Sequence, residues 1–270
     1  MASSRPSKPE RAGSGIRCRA IVWKRFDFTE TSRIVALLTR DHGIVHALAK
    51  GAHRPNSPLL GHIDFLSDLD VNLSHVTEGL RKLARGTLVR ERRGLRHPSR
   101  FLCASHLVNL CDAAFAPGTP EPELFDLVDG GLALIELCPI RALPTVALGL
   151  ELRLLQHLGA LPDLDGCTEC GVAFDGQAFV GDVAGSLACR EHAATPRRAI
   201  GTAALQFLRT LRDTKGRSWP EIDAEPPQPA IALLGRFVGS ALERHPRLRA
   251  SVFARGSVER PDVRAVDSGA

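Results

Sequence analysis

Four residues in two pairs have the types and the spacing of a metal site. Cys167 and Cys170 are separated by two residues, and after eighteen intervening residues Cys189 and His192 repeat the same spacing. Pairs of this kind lie on tight turns that direct both ligands inward, and two such pairs can bind a tetrahedral zinc ion. Because three sulfurs and one nitrogen complete a tetrahedral shell, the sequence predicts a structural zinc site without an open position for catalysis.

Two other interpretations of these cysteines remain open. A CxxC pair is also typical of redox enzymes, but there it usually begins a helix within a βαβ pattern, which is missing around Cys167. Alternatively the thiols are simply buried and His192 is an unrelated surface residue. If zinc is bound but His192 is not its fourth ligand, His157 is the substitute ligand to test. The other cysteines lie in apolar runs and have no partner at this spacing: Cys18, Cys103, Cys111 and Cys138.

The cysteine count also bears on the compartment. Seven cysteines are an odd number, three of them are assigned to metal, and no signal peptide is recognisable. This combination is typical of a reducing compartment. No apolar run approaches the roughly 18 to 20 residues of a membrane span, since Val146–Leu158 is broken by charged residues. We therefore expect a cytoplasmic protein.

Charge is distributed unevenly along the chain. Residues 1–100 contain 19 Lys and Arg against 9 Asp and Glu, whereas the remaining residues contain 16 against 21. Within 112–169 there are ten acidic residues, and the only basic ones are Arg141 and Arg153. A basic module followed by an acidic one predicts a nucleic-acid surface joined to a region that meets protein. The alternative is two solvated surfaces that differ by accident.

The first third of the chain has the alternation of β-strands. Short strands with short connections, which we expect to be antiparallel, are indicated at five places: from Ile16 to Trp23, Ile34–Thr39, Ile44–Ala49, Leu69–Leu73 and Leu80–Val89. Five such strands within residues 16–95 predict a small closed barrel of the OB-fold type. Residues 1–15 are rich in Ser, Pro, Gly and basic residues, which predicts a disordered basic arm.

Beyond Pro98 the apolar period changes from two to about 3.6, which indicates helices. We expect Ser99 to cap a helix whose apolar face includes Phe101, and Val146–Leu158 to form a central buried helix that ends at Gly159. The prediction is an all-α domain over residues 96–253, with a zinc module at 163–198 inserted into it. Residues 254–270 are expected to form a flexible tail.

Several segments together resemble the RecO family of bacterial recombination mediators. They are residues 20–33 at the start of the barrel, Leu48–Ala52, Glu151–Gly159 and Leu164–Gly171. The resemblance spans residues 16 to 253 and is most specific from the central helix into the first cysteine pair. It implies an α+β multidomain protein with an N-terminal OB-fold, a helical C-terminal domain and a zinc module within that domain.

The resemblance also implies an activity. RecO proteins bind single- and double-stranded DNA, anneal complementary strands, and act with RecR to help RecA displace single-strand binding protein at the bacterial nucleoid. Two departures from the family pattern matter. His192 stands where members that keep the metal site typically have a fourth cysteine, and His53 and Asn56 lie in a loop that is often more basic.

Annealing requires that the charge of two strands is neutralised while their bases stay free to pair. We therefore expect basic residues of the barrel to contact DNA phosphates, with the densest group at Arg90–Arg93. The predicted contacts are Lys24, Arg25, Arg33, Arg40, Lys50, Arg54, Arg81, Lys82, Arg85, Arg90, Arg92 and Arg93. Trp23, Phe26 and Phe28 are candidates for stacking on bases, but core packing is their expected role.

The helical domain has two interpretations. It binds RecR or the tail of single-strand binding protein, as the resemblance implies, or its acidic surface only keeps DNA on the barrel side. Near the last helix, a smaller basic patch is a candidate site for an acidic peptide: Arg236, Arg244, Arg247 and Arg249.

Other classes of function have less support. The sequence contains no P-loop, GxSxG elbow, HExxH helix or acidic metal cluster, so we expect a protein that is not an enzyme. Asp68 and Asp70 share one strand face, which alternation predicts to be the solvent side. An RNA-binding or translation-associated OB-fold protein stabilised by zinc remains the alternative.

Overall fold

A computed structural model of the protein describes residues 15–74, 80–116, 118–193 and 199–254. The predicted arm, apart from Gly15, and the predicted tail, apart from Ala254, lie outside these residues. The chain divides into two compact units. The barrel unit contains the described residues through Arg92 together with 118–120, and the helical unit contains Arg93–Ala116 and the described residues from Glu121 onward.

Five strands among the described residues of the barrel unit form a closed barrel, as predicted. They are β1 (Ile16–Asp27), β2 (Arg33–Thr39), β3 (Gly43–Ala49), β4 (Asp68–Leu73) and β5 (Arg81–Arg90), in the order β1-β2-β3-β5-β4. The expectation of antiparallel pairing throughout is wrong at one place, because β3 and β5 pair in parallel. This pairing closes the barrel between strands that are not consecutive, and the result fits the OB-fold.

Strands β1 and β5 each change partner along their length. Ile16–Ile21 of β1 pairs with β4, and Ala20–Asp27 pairs with β2 across a bulge near Val22. In β5 the first two residues pair with β3, and the rest pairs with β4. The outer surface of the barrel therefore has two distinct sides, one over β2 and β3 and the other over β4.

Alternate residues of each strand fill the barrel, because successive side chains of a strand point to opposite faces. The interior includes Val22, Val35, Leu37, Leu69 and Val71, all essentially inaccessible to solvent. One prediction for the outer side of β4 is wrong. Asp68 is buried, and it accepts hydrogen bonds from Arg19 at 2.8 Å and from Arg92 at 3.1 Å.

In the described part of the helical unit there are six α-helices: α1 (Pro98–Ala114), α2 (Pro122–Leu137), α3 (Leu143–His157), α4 (Thr202–Asp213), α5 (Gln228–Ala241) and α6 (Arg249–Val252). The predicted cap of the first helix is wrong. Pro98 is the first helical residue after His97, because a proline needs no amide partner there, and Ser99 lies inside the helix. Phe101 is also exposed rather than part of the buried face.

Helix α3 is the predicted central helix, and it packs against α1, α2, α4 and α5. It ends before Gly159, whose φ of +65° is the left-handed conformation that glycine adopts readily. Gly149 in its middle allows close approach of the Trp219 ring, since a Cβ there would lie 2.7 Å from ring atoms. The indole nitrogen of Trp219 donates to the Leu211 carbonyl at 3.0 Å.

A charged cluster lies inside this helical packing. Glu151 of α3 has no exposed surface, and its carboxylate is 2.9 Å from Nε2 of His106. Arg249 of α6 binds the same carboxylate, so it is not part of the predicted basic patch. Arg244 donates to the Asn109 carbonyl at 2.8 Å.

The predicted zinc segment leaves the helices between α3 and α4. The described residues between α3 and α4 include three short strands: β6 (Ala178–Val180) and β7 (Leu187–Ala188) within the predicted segment, and β8 (Ala199–Ile200) just after it. Their order in the sheet is β7-β6-β8. Residues 194–198 of this segment are outside the described ranges. Across the residues that are described, no helix combines the length and the apolarity needed to cross a bilayer.

Candidate metal centre and nucleic-acid interface

Two tight turns carry the predicted metal ligands. After Cys170 the chain reverses at Gly171, whose φ is +71° and whose amide donates to the Cys167 carbonyl at 2.8 Å. The second pair, Cys189 and His192, follows β7 directly. A hydrogen bond of 2.9 Å from the Thr168 amide to the Leu187 carbonyl joins the first turn to β7. The two ligand pairs therefore face each other across a hydrogen-bonded scaffold.

The four ligand atoms converge. All lie within 4.8 Å of one another. Sγ of Cys170 is 3.9 Å from Sγ of Cys189, and Nδ1 of His192 is 3.3 Å from Sγ of Cys189 and 3.8 Å from Sγ of Cys167. A tetrahedral ion bound at about 2.3 Å from sulfur and 2.0 Å from nitrogen separates its ligands by roughly 3.5 to 3.8 Å. The residues present are thus able to hold a metal ion.

The local electrostatics favour thiolates at two of the three cysteines, Cys167 and Cys189. At Cys170 the backbone amide of Val172 lowers the pKa, but burial and the neighbouring thiols of Cys167 and Cys189 outweigh it and raise the pKa. Desolvation raises the pKa of Cys167, but hydrogen bonds from the backbone amides of Cys189, Cys170 and Glu169 outweigh it and lower the pKa to about 6. The backbone amide of His192 lowers the pKa of Cys189. Because a thiol must lose its proton to bind a metal, these amides prepare the cluster for one. His157, the substitute ligand, lies instead beside Glu121 and Glu123.

Several predicted DNA contacts gather at one end of the barrel. Arg33 pairs with Ala49, so it lies at the edge where Lys50 and Arg54 follow β3 in the predicted loop. Arg33 donates to Asp27 at 2.8 Å, and this bond, followed by that from His53, holds the pKa of Asp27 below its usual range. Other members of the predicted set on neighbouring strands are Lys24, Arg25, Arg81 and Lys82.

The remaining predicted contacts are dispersed. Arg40 lies in the β2–β3 turn, 3.9 Å from Asp41, while Arg85 and Arg90 lie where β5 pairs with β4. The predicted group Arg90–Arg93 does not form one surface. The side chain of Arg92 is only 1% exposed and binds Asp68, so we revise its role from DNA contact to support of the barrel. Arg93 belongs to the helical unit.

An exposed aromatic surface adjoins the basic residues. The predicted role in core packing is confirmed for Trp23, which has no accessible surface. It is wrong for Phe26 and Phe28, which are 51% and 58% exposed. Strand pairing places Phe26 beside Ile34, Ile34 beside Leu48, and Leu48 beside Lys82. We call this outer row, from Phe26 to Lys82, the aromatic face. The row contains one residue from each of four strands: the exposed ring of Phe26, the apolar side chains of Ile34 and Leu48, and Lys82.

Comparison with known proteins assigns both units. The family model described as "Recombination protein O C terminal" matches residues 95–250. The model described as "Recombination protein O N terminal" matches residues 14–92. The chain belongs to the RecO family. The predicted resemblance is therefore confirmed, and the two matched regions meet where the barrel unit passes into the helical unit.

Curated members of the RecO family resemble the chain over most of its length. A "DNA repair protein RecO" from Exiguobacterium sibiricum is 29% identical over 243 residues, covering 86% of this chain and 92% of the relative. The protein of the same name from Myxococcus xanthus is 29% identical and covers 83% and 91%. That from Rhodopirellula baltica is 31% identical and covers 78% and 80%.

Sequence reasoning missed the residues that fix the cysteine segment of this RecO-family chain to α4. Arg209 donates through Nε and Nη2 to the Leu164 carbonyl, at 3.1 and 2.8 Å, and its Nε is 2.9 Å from Asp165. Arg212 binds Asp165 as well, at 2.5 Å. These partners are 45 and 47 residues apart in the sequence, so no local spacing could have indicated them.

Proposed function

We propose that this RecO-family protein is a non-enzymatic mediator of DNA repair and homologous recombination. It binds DNA through the barrel, anneals complementary single strands, and helps to load a recombinase onto strands coated with single-strand binding protein. The observation that carries the DNA-binding step is the aromatic face, where the half-exposed Phe26 lies in one row with Lys82. The names of the relatives, which are DNA repair proteins, support the same assignment.

The chemistry of the aromatic face suits single strands. A base of any sequence can stack on a phenylalanine ring, and stacking of this kind contributes about 1 to 3 kcal/mol per base. Lys82 on the same row, and Lys50 and Arg54 at the barrel end, are exposed and can neutralise phosphates. No bond is made or broken in annealing, so charge neutralisation with accessible bases is sufficient.

Zinc is the metal that we propose for Cys167, Cys170, Cys189 and His192. Three cysteines and one histidine form a donor set typical of structural zinc, and they leave no open position. When bound, the ion forms four coordination bonds that join the two turns, and it takes part in no reaction. We propose that the cluster stabilises the segment between α3 and α4, with His192 in place of the fourth cysteine typical of the family.

The helical unit is the proposed partner surface. Its residues 121–169 contain nine acidic side chains and two basic ones, which disfavours contact with DNA by like-charge repulsion. We propose that this unit meets RecR and single-strand binding protein, and that the basic barrel meets the DNA. The effect on the RecA filament is indirect in this scheme.

Fluorescence anisotropy with a labelled oligonucleotide tests the DNA-binding step. We expect Phe26→Ala to weaken binding by roughly 5- to 150-fold, the range that corresponds to loss of one stacked base. The matched control is Leu137→Ala, which removes an exposed apolar side chain from α2 of the helical unit. Lys82→Ala should reduce the salt dependence of binding, while Lys215→Ala in the helical unit should not.

Annealing of two complementary labelled strands, with single-strand binding protein present, tests the mediator step. The native protein should accelerate annealing, and Phe26→Ala should reduce the acceleration. Absence of any acceleration by the native protein would contradict the proposal. Stronger binding to structured RNA than to DNA of equal length would favour the RNA-binding alternative.

A further inference from the structure

The side of the barrel away from the aromatic face carries a second basic feature. A cavity of about 250 Å³ lies on β1, β4 and β5. Its lining is polar except for one valine: Arg17, Asp70, Val71, Asn72, Arg85 and Thr87. Only Arg85 of these residues belongs to the set predicted from the sequence. The cavity lies within the barrel unit, so its geometry depends on that unit alone.

Strand register brings the two arginines of this cavity together. Arg17 of β1 pairs with Asn72 of β4, and Asn72 pairs in turn with Arg85 of β5. The row therefore has a guanidinium group on each side of an amide. Both arginines are exposed, and within the part of the chain that the structure describes neither guanidinium group forms a hydrogen bond or an ion pair. Their donors are available to a ligand.

The neighbouring arginine shows the contrast. Arg19, two residues along β1, donates to the buried Asp68 at 2.8 Å and so supports the barrel. Asp70, which pairs with Arg19 and Thr87, also lines the cavity and carries a negative charge. Two arginines against one aspartate leave the cavity positive. This net positive charge favours binding of an anion, and phosphate groups of a nucleic acid carry the matching charge.

The chemistry of the lining fits a phosphodiester. Guanidinium groups bind phosphate oxygens through paired N–H donors, and the Asn72 amide and Thr87 hydroxyl add neutral donors. No aromatic side chain lines this cavity. The cavity is therefore suited to hold a sugar–phosphate backbone without stacking, which leaves the bases of that strand free to pair.

We propose that this cavity, the β4 phosphate site, binds the backbone of a second DNA strand while the aromatic face binds the first. Strand β1 carries both surfaces, Arg17 where it pairs with β4 and Phe26 where it pairs with β2. Arg17 and Phe26 are nine positions apart in the sequence, which is at most about 30 Å along a strand. One protein chain thus brings two DNA strands to within reach of each other. The inference rests on the proposed DNA-binding function and adds the site of the partner strand.

The test counts the DNA strands that one protein chain binds. The full-length protein is mixed with two labelled oligonucleotides that are not complementary, and bound strands per chain are measured by native mass spectrometry. The native protein should bind two, the double variant Arg17→Ala with Arg85→Ala should bind one, and Arg217→Ala, an exposed arginine of the helical unit, should bind two. Asp70→Asn should tighten binding of the second strand, because it removes a negative charge from the cavity.

Salt titration separates the possible failures. In the single variant Arg17→Ala, which keeps a weakened second site, loss of one phosphate contact should lower the slope of log affinity against log salt for the second strand by about 0.7. If the native protein binds one strand per chain, or if the double arginine variant still binds two, the second site is refuted while the proposed function survives. If the native protein binds no oligonucleotide, the proposed function itself fails.

Discussion

Arg249 donates two hydrogen bonds to the carboxylate of Glu151, each 2.9 Å long, inside the helical unit. The same guanidinium lies 4.7 Å from the centre of the Phe253 ring and donates to the Ile231 carbonyl at 2.6 Å. Glu151 is wholly buried in α3. Arg249 therefore connects the short helix α6 to the centre of the helical packing.

Removal of this arginine should destabilise the protein strongly. Arg249→Ala leaves the Glu151 charge buried, with His106 as its one remaining partner among the residues that the structure describes. Breaking a buried ion pair in this way costs about 3 to 5 kcal/mol. Urea denaturation measures the free energy of unfolding. Arg236→Ala on α5 is the control and should change it by less than about 0.5 kcal/mol. Equal effects of the two variants would show that the pair does not stabilise the unit.

The cysteine cluster should control metal content and stability together. We expect Cys167→Ser to lower both the zinc content, measured by elemental analysis, and the melting temperature. Binding of an oligonucleotide to the barrel should change little, because the cluster is not among the proposed DNA contacts. Stoichiometric zinc retained in a double variant, Cys167→Ser with Cys189→Ser, would overturn the assignment.

Alkylation of the metal-free protein should follow the thiol pKa values. The lowered pKa of Cys167, about 6, means that its thiolate predominates above pH 6 and is lost as the pH falls through that value. Burial, with Asp41 and Asp70 nearby, raises the pKa of Cys18 to about 11, so Cys18 remains a thiol at pH 8. At pH 8 the half-buried Cys189, whose pKa is also lowered, should react well before Cys18.

Peptide mapping by mass spectrometry after iodoacetamide treatment checks this order. Burial also raises the pKa of Cys103 and Cys111, which should stay unmodified in the folded protein. Added zinc should protect Cys189 and leave the slow reaction of Cys18 unchanged. Faster modification of Cys18 than of Cys189 would contradict the assigned environments.

Arg209 should matter more than Arg212 for the cysteine segment. Arg209→Ala removes two hydrogen bonds to the Leu164 carbonyl as well as an ion pair, whereas Arg212→Ala removes only exposed ion pairs. We expect a loss of about 1 to 3 kcal/mol for the first variant and of less than about 1 kcal/mol for the second. Thermal unfolding and the rate of zinc release to a chelator measure the two effects.

The barrel could be predicted because each strand has one face in the core. Leu69, Val71 and Leu73 alternate with polar residues, and this local signal survives in a single sequence. The parallel pairing of β3 with β5 leaves no comparable signal, because it depends on register between strands far apart in the chain. The convergence of Cys167, Cys170, Cys189 and His192 was predictable for the opposite reason, since their spacing itself describes two turns.

Buried charges could not be predicted. Asp68 and Arg92 are 24 residues apart, and Glu151 and Arg249 are 98 apart, so nothing near either residue identifies its partner. In a sequence alone, a paired arginine and a solvated one have the same appearance. The exposure of Phe26 was missed by the same reasoning, since an aromatic residue within a strand is more often buried.

The chain contains two tryptophans and no tyrosine. Trp23 is buried and belongs to the barrel unit, and Trp219 rests on Gly149 in the helical unit. Intrinsic emission from the protein thus comes from one fluorophore in each unit, and single replacements by phenylalanine leave a separate optical reporter for each. The order in which the two units melt can be read without attaching a dye.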